Sequence, residues 1–201
     1  MKFMREIKAV IFDIDGTLIK LPINWDEVRS KVRKLLNTSH PLRPLATSIP
    51  EVVGDNLELL NRVFKVIEYE ELKAIEKYDF STKANVRKLF KCISSKGIKI
   101  GIVTLQGMKP ATKILEKLDV KQYVSVLVTR EFSVYRKEQL LAAINTLNVK
   151  PSEVVFVADS PWDEDAGKTI GCFTVIVGKR AIGDMNVNSV LELNGMFKCT
   201  F

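Results

Sequence analysis

The stretch Ala9-Val10-Ile11-Phe12-Asp13-Ile14-Asp15-Gly16-Thr17 decides the fold. It opens as an apolar, β-branched run without polar alternation, the pattern of a strand buried on both faces. Side chains alternate along a strand, so Asp13 and Asp15 share one side near its C-terminal end. Gly16 then lets the chain turn sharply. In open parallel sheets that carboxyl edge is where ligands bind. Two carboxylates so close repel each other unless a cation or a shared proton relieves them. Either a hard-metal site or an acid/base pair with separated pKa values would do so. An Asp-rich turn with no chemistry is the third reading.

Outward from this stretch the same kind of run recurs at Ile98–Thr104, Val124–Val128, Val154–Ala158 and Phe173–Val177. Between the runs lie helical spacings. Val86, Leu89, Phe90 and Ile93 keep the i, i+3, i+4, i+7 pattern, as do Ala111, Ile114, Leu115 and Leu118. Leu140, Ala143, Ile144 and Leu147 repeat it, with Gly97 and Asn148 as helix stops. Strand and helix in alternation predict an α/β fold, a parallel sheet covered on both faces. From about Leu21 to Asp79 the rhythm breaks. Trp25, Val28, Val32, Leu35 and Leu36 form one helical stripe, and Leu60, Val63, Phe64 and Ile67 another. The proline-rich stretch Pro41 to Pro50 between them cannot be helical throughout. A helical insert after the first strand is expected.

Two further strand ends and one helix start carry polar groups of the same kind. Thr104-Leu105-Gln106-Gly107 offers a hydroxyl and backbone N–H groups ahead of a helix, which suit a phosphate oxyanion. Asp159-Ser160-Pro161-Trp162-Asp163 adds two carboxylates, as helix caps or as hard-cation ligands. Arg136-Lys137 supplies a cation for a transferring phosphoryl group.

With these residues in view, the sequence resembles the haloacid dehalogenase superfamily, in its phosphatase branch and with phosphoglycolate-phosphatase-like features. Asp13-Ile14-Asp15-Gly16-Thr17-Leu18 matches the family's first motif and Thr104 its second. Arg136-Lys137 falls in the region of the third, and Asp159 to Asp163 matches the fourth. The resemblance implies a Rossmann-like, doubly wound parallel sheet core over residues 1–20 and 80–201, with a small α-helical cap over 21–79. It implies Asp13 as the nucleophile that accepts the phosphoryl group and Asp15 as general acid/base. Thr104, Leu105, Gln106 and a cation, Lys137 by family habit or Arg136 by its bidentate fork, would hold the phosphoryl oxygens. Mg²⁺ would be bound by Asp13, Asp159, Asp163 and the backbone carbonyl of Asp15. The implied activity is hydrolysis of a small phosphorylated metabolite. A loop arginine, Arg43, could meet a second anionic group, although a solvated loop residue is its simpler reading.

Composition narrows the rest. The 201 residues are 46% apolar and 27% charged, ordinary for a soluble globular protein. No apolar run reaches the roughly 20 residues that span a bilayer. With the charged opening Met1-Lys2-Phe3-Met4-Arg5, this suggests a cytoplasmic location. Cys92, Cys172 and Cys199 are read as thiols in a reducing compartment, and His40 as a loop residue without chemistry. The net charge of +7 could steer small anions. The densest basic cluster, Arg29 to Lys34, reads as the solvated face of a helix. A basic face interleaved with aromatics is not found, so nucleic acid is an unlikely partner. The rival enzyme reading is a phosphomutase using the same aspartyl-phosphate. The rival outside enzymes is an idle binding module, which would have no reason to keep all these carboxylates.

Overall fold

The computed structural model describes residues 6–200, so the charged opening at residues 1–5 lies outside it. Six strands form one parallel sheet: β1 (Ala9–Phe12), β2 (Lys99–Val103), β3 (Val124–Val128), β4 (Val154–Ala158), β5 (Phe173–Val177) and β6 (Met185–Val187). Their spatial order is β3-β2-β1-β4-β5-β6. The chain thus starts in the middle, winds outward through β2 and β3, and returns to the other side of β1. That reversal makes the carboxyl ends of β1, β2 and β4 the switch point of the sheet.

Three of the five expected strands have the expected limits, and two are shorter. β1 stops at Phe12 because the Ile14 carbonyl turns to accept the N–H groups of Thr17, Leu18 and Ile19. The expected Ile98–Thr104 run narrows to Lys99–Val103. β6 was not anticipated, being three residues long and partly exposed at the sheet edge.

Three helices follow β1: α1 (Trp25–Leu36), α2 (Leu45–Val53) and α3 (Leu57–Lys77). They share an apolar cluster of their own, built from Val28, Val32, Leu42, Ile49, Val63 and Ile67. The proline-rich stretch splits as its chemistry requires. Pro44 stands just before α2, and Pro50 is taken inside it. Of the basic cluster on α1, Lys31 pairs with Glu27 and Glu70 in the solvated manner expected, whereas Arg29 does not face solvent.

The sheet is covered by α4 (Lys83–Ser95), α5 (Met108–Lys117), α6 (Arg136–Leu147), α7 (Pro161–Ile170) and α8 (Leu193–Phe197). Val10 and Phe12 of β1 pack towards α4, α5 and α8. Ala9 and Ile11, on the opposite face, pack with Leu140, Ala143 and Ile144 of α6. The alternating side chains of one central strand therefore seed both layers of core.

The cysteine reading needs correction. Cys92 of α4 and Cys199, just beyond α8, form a disulfide, and only Cys172 is a free, buried thiol. The spacing hid the pair, because the bridge joins residues 107 apart that meet only once α8 docks on α4. Burial pushes the Cys172 thiol up to about 12, so it stays protonated and inert. Thiol titration should find no reactive group in the native protein, one after unfolding, and three after reduction. Closing so long a loop predicts that Cys199→Ser lowers unfolding free energy by about 2–5 kcal/mol, read by denaturant melts.

Candidate active site

Strand register brings the polar groups together. Phe12 lies level with Ile102 of β2 and Val157 of β4, so Asp13 stands one residue below Thr104 and Asp159 at three neighbouring strand ends. The Asp13 N–H still donates to the Val157 carbonyl at 2.9 Å, which fixes its backbone against β4. After it, Gly16 turns with φ of +93°, and a Cβ there would overlap the Asp159 carboxylate. Glycine is thus needed twice, for the left-handed backbone and for the close approach of Asp159. The Asp15 carboxylate accepts from the Leu21 N–H at 2.8 Å, which pins the start of the insert to the same turn.

The cation at the site is Arg136. Its guanidinium lies 2.8 Å from Asp13 Oδ1 through one nitrogen and 2.5 Å from Asp163 Oδ1 through Nε. Lys137, favoured by family habit, pairs instead with Asp165 at the exposed edge of α7, 2.8 Å away. Neighbouring positions on a helix point about 100° apart, so only one of the two can face the strand ends. A third nitrogen of Arg136 donates to Gln139 Oε1 at 2.9 Å, and Gln139 Nε2 donates to the carbonyls of Thr104 and Ser133. Gln139 is fully buried, one turn along α6. It was not singled out in the sequence, and only its polarity within the apolar stripe of α6 could have pointed to it.

Asp163 sits three residues into α7 in a capping box with Ser160, whose hydroxyl donates to it and whose N–H does the same. It therefore serves as a cap and as a partner of Arg136 at once. Asp159 pairs with the largely exposed Arg180 at 2.7 Å. Around Thr104 the expectation of free N–H groups holds only in part. The Gln106 N–H donates to the Thr104 hydroxyl at 3.2 Å, the Gly107 N–H points to Glu71, and the Met108 N–H donates to Glu131.

Crowding of carboxylates in a dry place sets the electrostatics. Burial, then Asp163, Asp159 and Asp15, raise the Asp13 carboxyl well above its ordinary range, and Arg136 works against them. Asp15 is pushed up to about 6, chiefly by burial, with the Leu21 N–H opposing. A group near 6 changes protonation state readily at neutral pH.

A cavity of about 330 Å³ stands over these strand ends. Asp13, Asp15, Thr104, Arg136, Asp159 and Asp163 line it from below, and Trp25, Arg29, Ile49, Phe64 and Ile67 of α1–α3 from above. A buried ion pair ties the two sides. Arg130, beyond β3, grips Glu71 of α3 through two nitrogens at 2.7 and 2.9 Å, and its guanidinium lies over the Phe64 ring. Neither residue was singled out in the sequence. Arg43 stays outside the cavity, paired with Asp26 in solvent, and His40 only accepts a loop N–H from Leu42.

The donors suit a hard cation. All are oxygens, and Mg²⁺ keeps several waters while taking only one or two carboxylates plus a phosphate. Among the described residues no three such groups converge on one point: Asp13 and Asp163 are bridged by Arg136, and Asp159 pairs with Arg180.

The comparisons with known proteins agree with this geometry. Residues 7–171 match the model of the haloacid dehalogenase-like hydrolases, and the chain belongs to that family. It is 33% identical over 179 residues to a candidate pyrophosphatase, PpaX, of Clostridium perfringens, covering 84% of this chain and 82% of the relative. It is 25% identical over 221 residues to a phosphoglycolate phosphatase of Chromobacterium violaceum, covering 97% and 98%. A β-phosphoglucomutase of Clostridium difficile shares the fold, with a TM-score of 0.68 at 19% identity over 96% of this chain and 95% of the other. Within the family the protein is thus a phosphatase.

Replacing Gln139 tests the support of the site. Gln139→Leu strips two buried carbonyls and one guanidinium nitrogen of their partner. It should lower unfolding free energy by about 1–3 kcal/mol in urea melts. No change would mean that Arg136 is held by its carboxylates alone.

Proposed function

We propose that the protein hydrolyses a small phosphomonoester through an aspartyl-phosphate on Asp13, with Mg²⁺ as cofactor. The observation that carries the reading is the buried Asp13 carboxylate, held by Arg136 at 2.8 Å beside Asp15 at the switch point. An Asp13 oxygen attacks phosphorus and the ester P–O bond breaks. Asp15, protonated at the start, gives its proton to the departing alkoxide. Water then attacks the phosphorus of the acyl phosphate, Asp15 takes its proton, and phosphate and Asp13 are released. Thr104 and Arg136 orient the phosphoryl oxygens while charge builds on them. Asp13, Asp159, Asp163 and the Asp15 carbonyl would hold the magnesium ion, which supplies charge neutralisation at the phosphoryl group.

Residues 21–79 would serve as a cap whose closure keeps bulk water from the acyl phosphate. The relatives are named for pyrophosphate and phosphoglycolate, which supports a small phosphorylated metabolite as substrate. A phosphomutase is less well supported, because the apolar upper wall offers a sugar's hydroxyls few partners.

Hydrolysis of an aryl phosphate should require Mg²⁺ and vanish in Asp13→Asn. Turnover that survives that substitution would exclude Asp13 as nucleophile. The choice of cation has its own test: Arg136→Ala should lose about a hundredfold or more in kcat, whereas Lys137→Ala should stay within about twofold, as for a surface pair. The reverse order would return the role to Lys137.

A further inference from the structure

We propose that the phosphoester handled here carries a second anionic group, carboxylate or phosphate, besides the scissile phosphate, and that Arg29 receives it. This rests on the phosphatase reading and deepens it by naming the substrate class.

The cations that line the cavity are Arg29, Arg130, Arg136 and Arg180. Three of them are matched by carboxylates that also line it: Arg130 by Glu71, Arg136 by Asp13 and Asp163, and Arg180 by Asp159. Arg29 is the exception. Its side chain is 17% exposed, but its partner Asp26 is 72% exposed, lies outside the cavity and is shared with Arg43. Salt and water screen such a pair heavily. The Arg29 Nε–H is moreover buried without any hydrogen-bond partner. A guanidinium with one donor idle and its counter-ion in solvent is positioned for an anion entering the cavity.

A second polar group awaits a ligand. Gln106 is 4% exposed, lines the cavity, and has neither its amide oxygen nor its amide nitrogen bonded. Leaving both ends of a buried amide unsatisfied costs stability unless something supplies the partners. Its amide, on the loop that carries Thr104, is open to a ligand in the same cavity. The same cavity is lined by Trp25, Leu45, Ile49, Phe64 and Ile67, all carbon-rich surface. The chemistry that fits is a short, hydroxyl-poor carbon chain with phosphate at one end and a second anion at the other.

The test compares three linear alkyl phosphates matched in length, ending in a carboxylate, a second phosphate or a methyl group. A charge-assisted contact should raise kcat/KM for one or both anion-ended esters about tenfold or more over the methyl-ended one. The better of the two identifies which anion the site takes. That ratio should collapse towards unity in Arg29→Met and recover in part in Arg29→Lys. Equal kcat/KM in the wild type, or a ratio that survives Arg29→Met, would overturn the proposal. Calorimetric binding of the matching non-hydrolysable phosphonates separates this from the reaction itself. Preference for an anion-ended phosphonate, lost in Arg29→Met, supports the role of Arg29 even if no ester is turned over, in which case the phosphatase reading alone fails. Turnover of the esters without any such preference, in kcat/KM or in binding, removes Arg29 and leaves that reading standing.

Discussion

Asp13, at the end of β1, and Asp163, in the first turn of α7, meet at one dry place, and Arg136 bridges them there. Without it, two buried carboxylates would face each other with no cation between them. With it, both oxygens lie within 2.8 Å of a guanidinium nitrogen, and the guanidinium itself donates to Gln139. Gln139 reaches back to the Thr104 carbonyl at the end of β2. One side chain on α6 therefore couples the ends of β1, β2 and β4. The rest of the site is arranged around that coupling: the Gly16 turn that admits Asp159, the capping box that aims Asp163, and the loop before α5.

Where a residue's role depends on local chemistry, the sequence was legible. The apolar runs of β3, β4 and β5 have the expected limits, although only β4 is buried throughout and β3, at the sheet edge, is largely half-buried. The four apolar positions expected in α4 and in α6 are all buried. Asp13 and Asp159 emerge together because each follows a strand and β1 pairs with β4 in register. Legibility ends where geometry between elements decides. Arg136 and Lys137 differ by one step on a helix whose phase against the sheet is not written locally. Arg29 belongs to a basic run, and only the docking of α1 over the sheet turns it inward. The Cys92–Cys199 bond and the Glu71–Arg130 pair each join distant segments, and neither partner carries a local mark of it.

The Glu71–Arg130 pair explains why helices with a core of their own are not free to drift. Burial, helped by Glu131, pushes Glu71 up to about 7 against the pull of Arg130 and the Gly107 N–H, so the pair is costly to keep dry. What it returns is position. Arg130 also donates to the carbonyls of Leu105 and Phe64, one on each side of the cavity, and its backbone N–H binds the Gln106 carbonyl. The loop that ends β2 and the helix above it are thereby referred to one guanidinium. A buried ion pair is a poor source of stability and a good source of register. Register matters here because the cavity is shaped from both sides.

Charge balance then links the two ends of that cavity. At the strand ends four carboxylates, Asp13, Asp15, Asp159 and Asp163, face two guanidinium groups, Arg136 and Arg180. A phosphate ester brought there adds negative charge to a place already short of cations, which is the electrostatic case for the proposed magnesium ion. No such deficit exists at the upper end. Glu71 is spoken for by Arg130, and Arg29 brings a cation whose counter-ion stays outside. An elongated ligand with two anionic ends would so find a guanidinium at one and require a metal at the other. A ligand with one anionic end would leave Arg29 facing an apolar wall with its Nε–H unmet. Selection among phosphoesters then follows from the penalty of an unfilled buried donor, which discriminates more sharply than any extra methylene against carbon-rich walls.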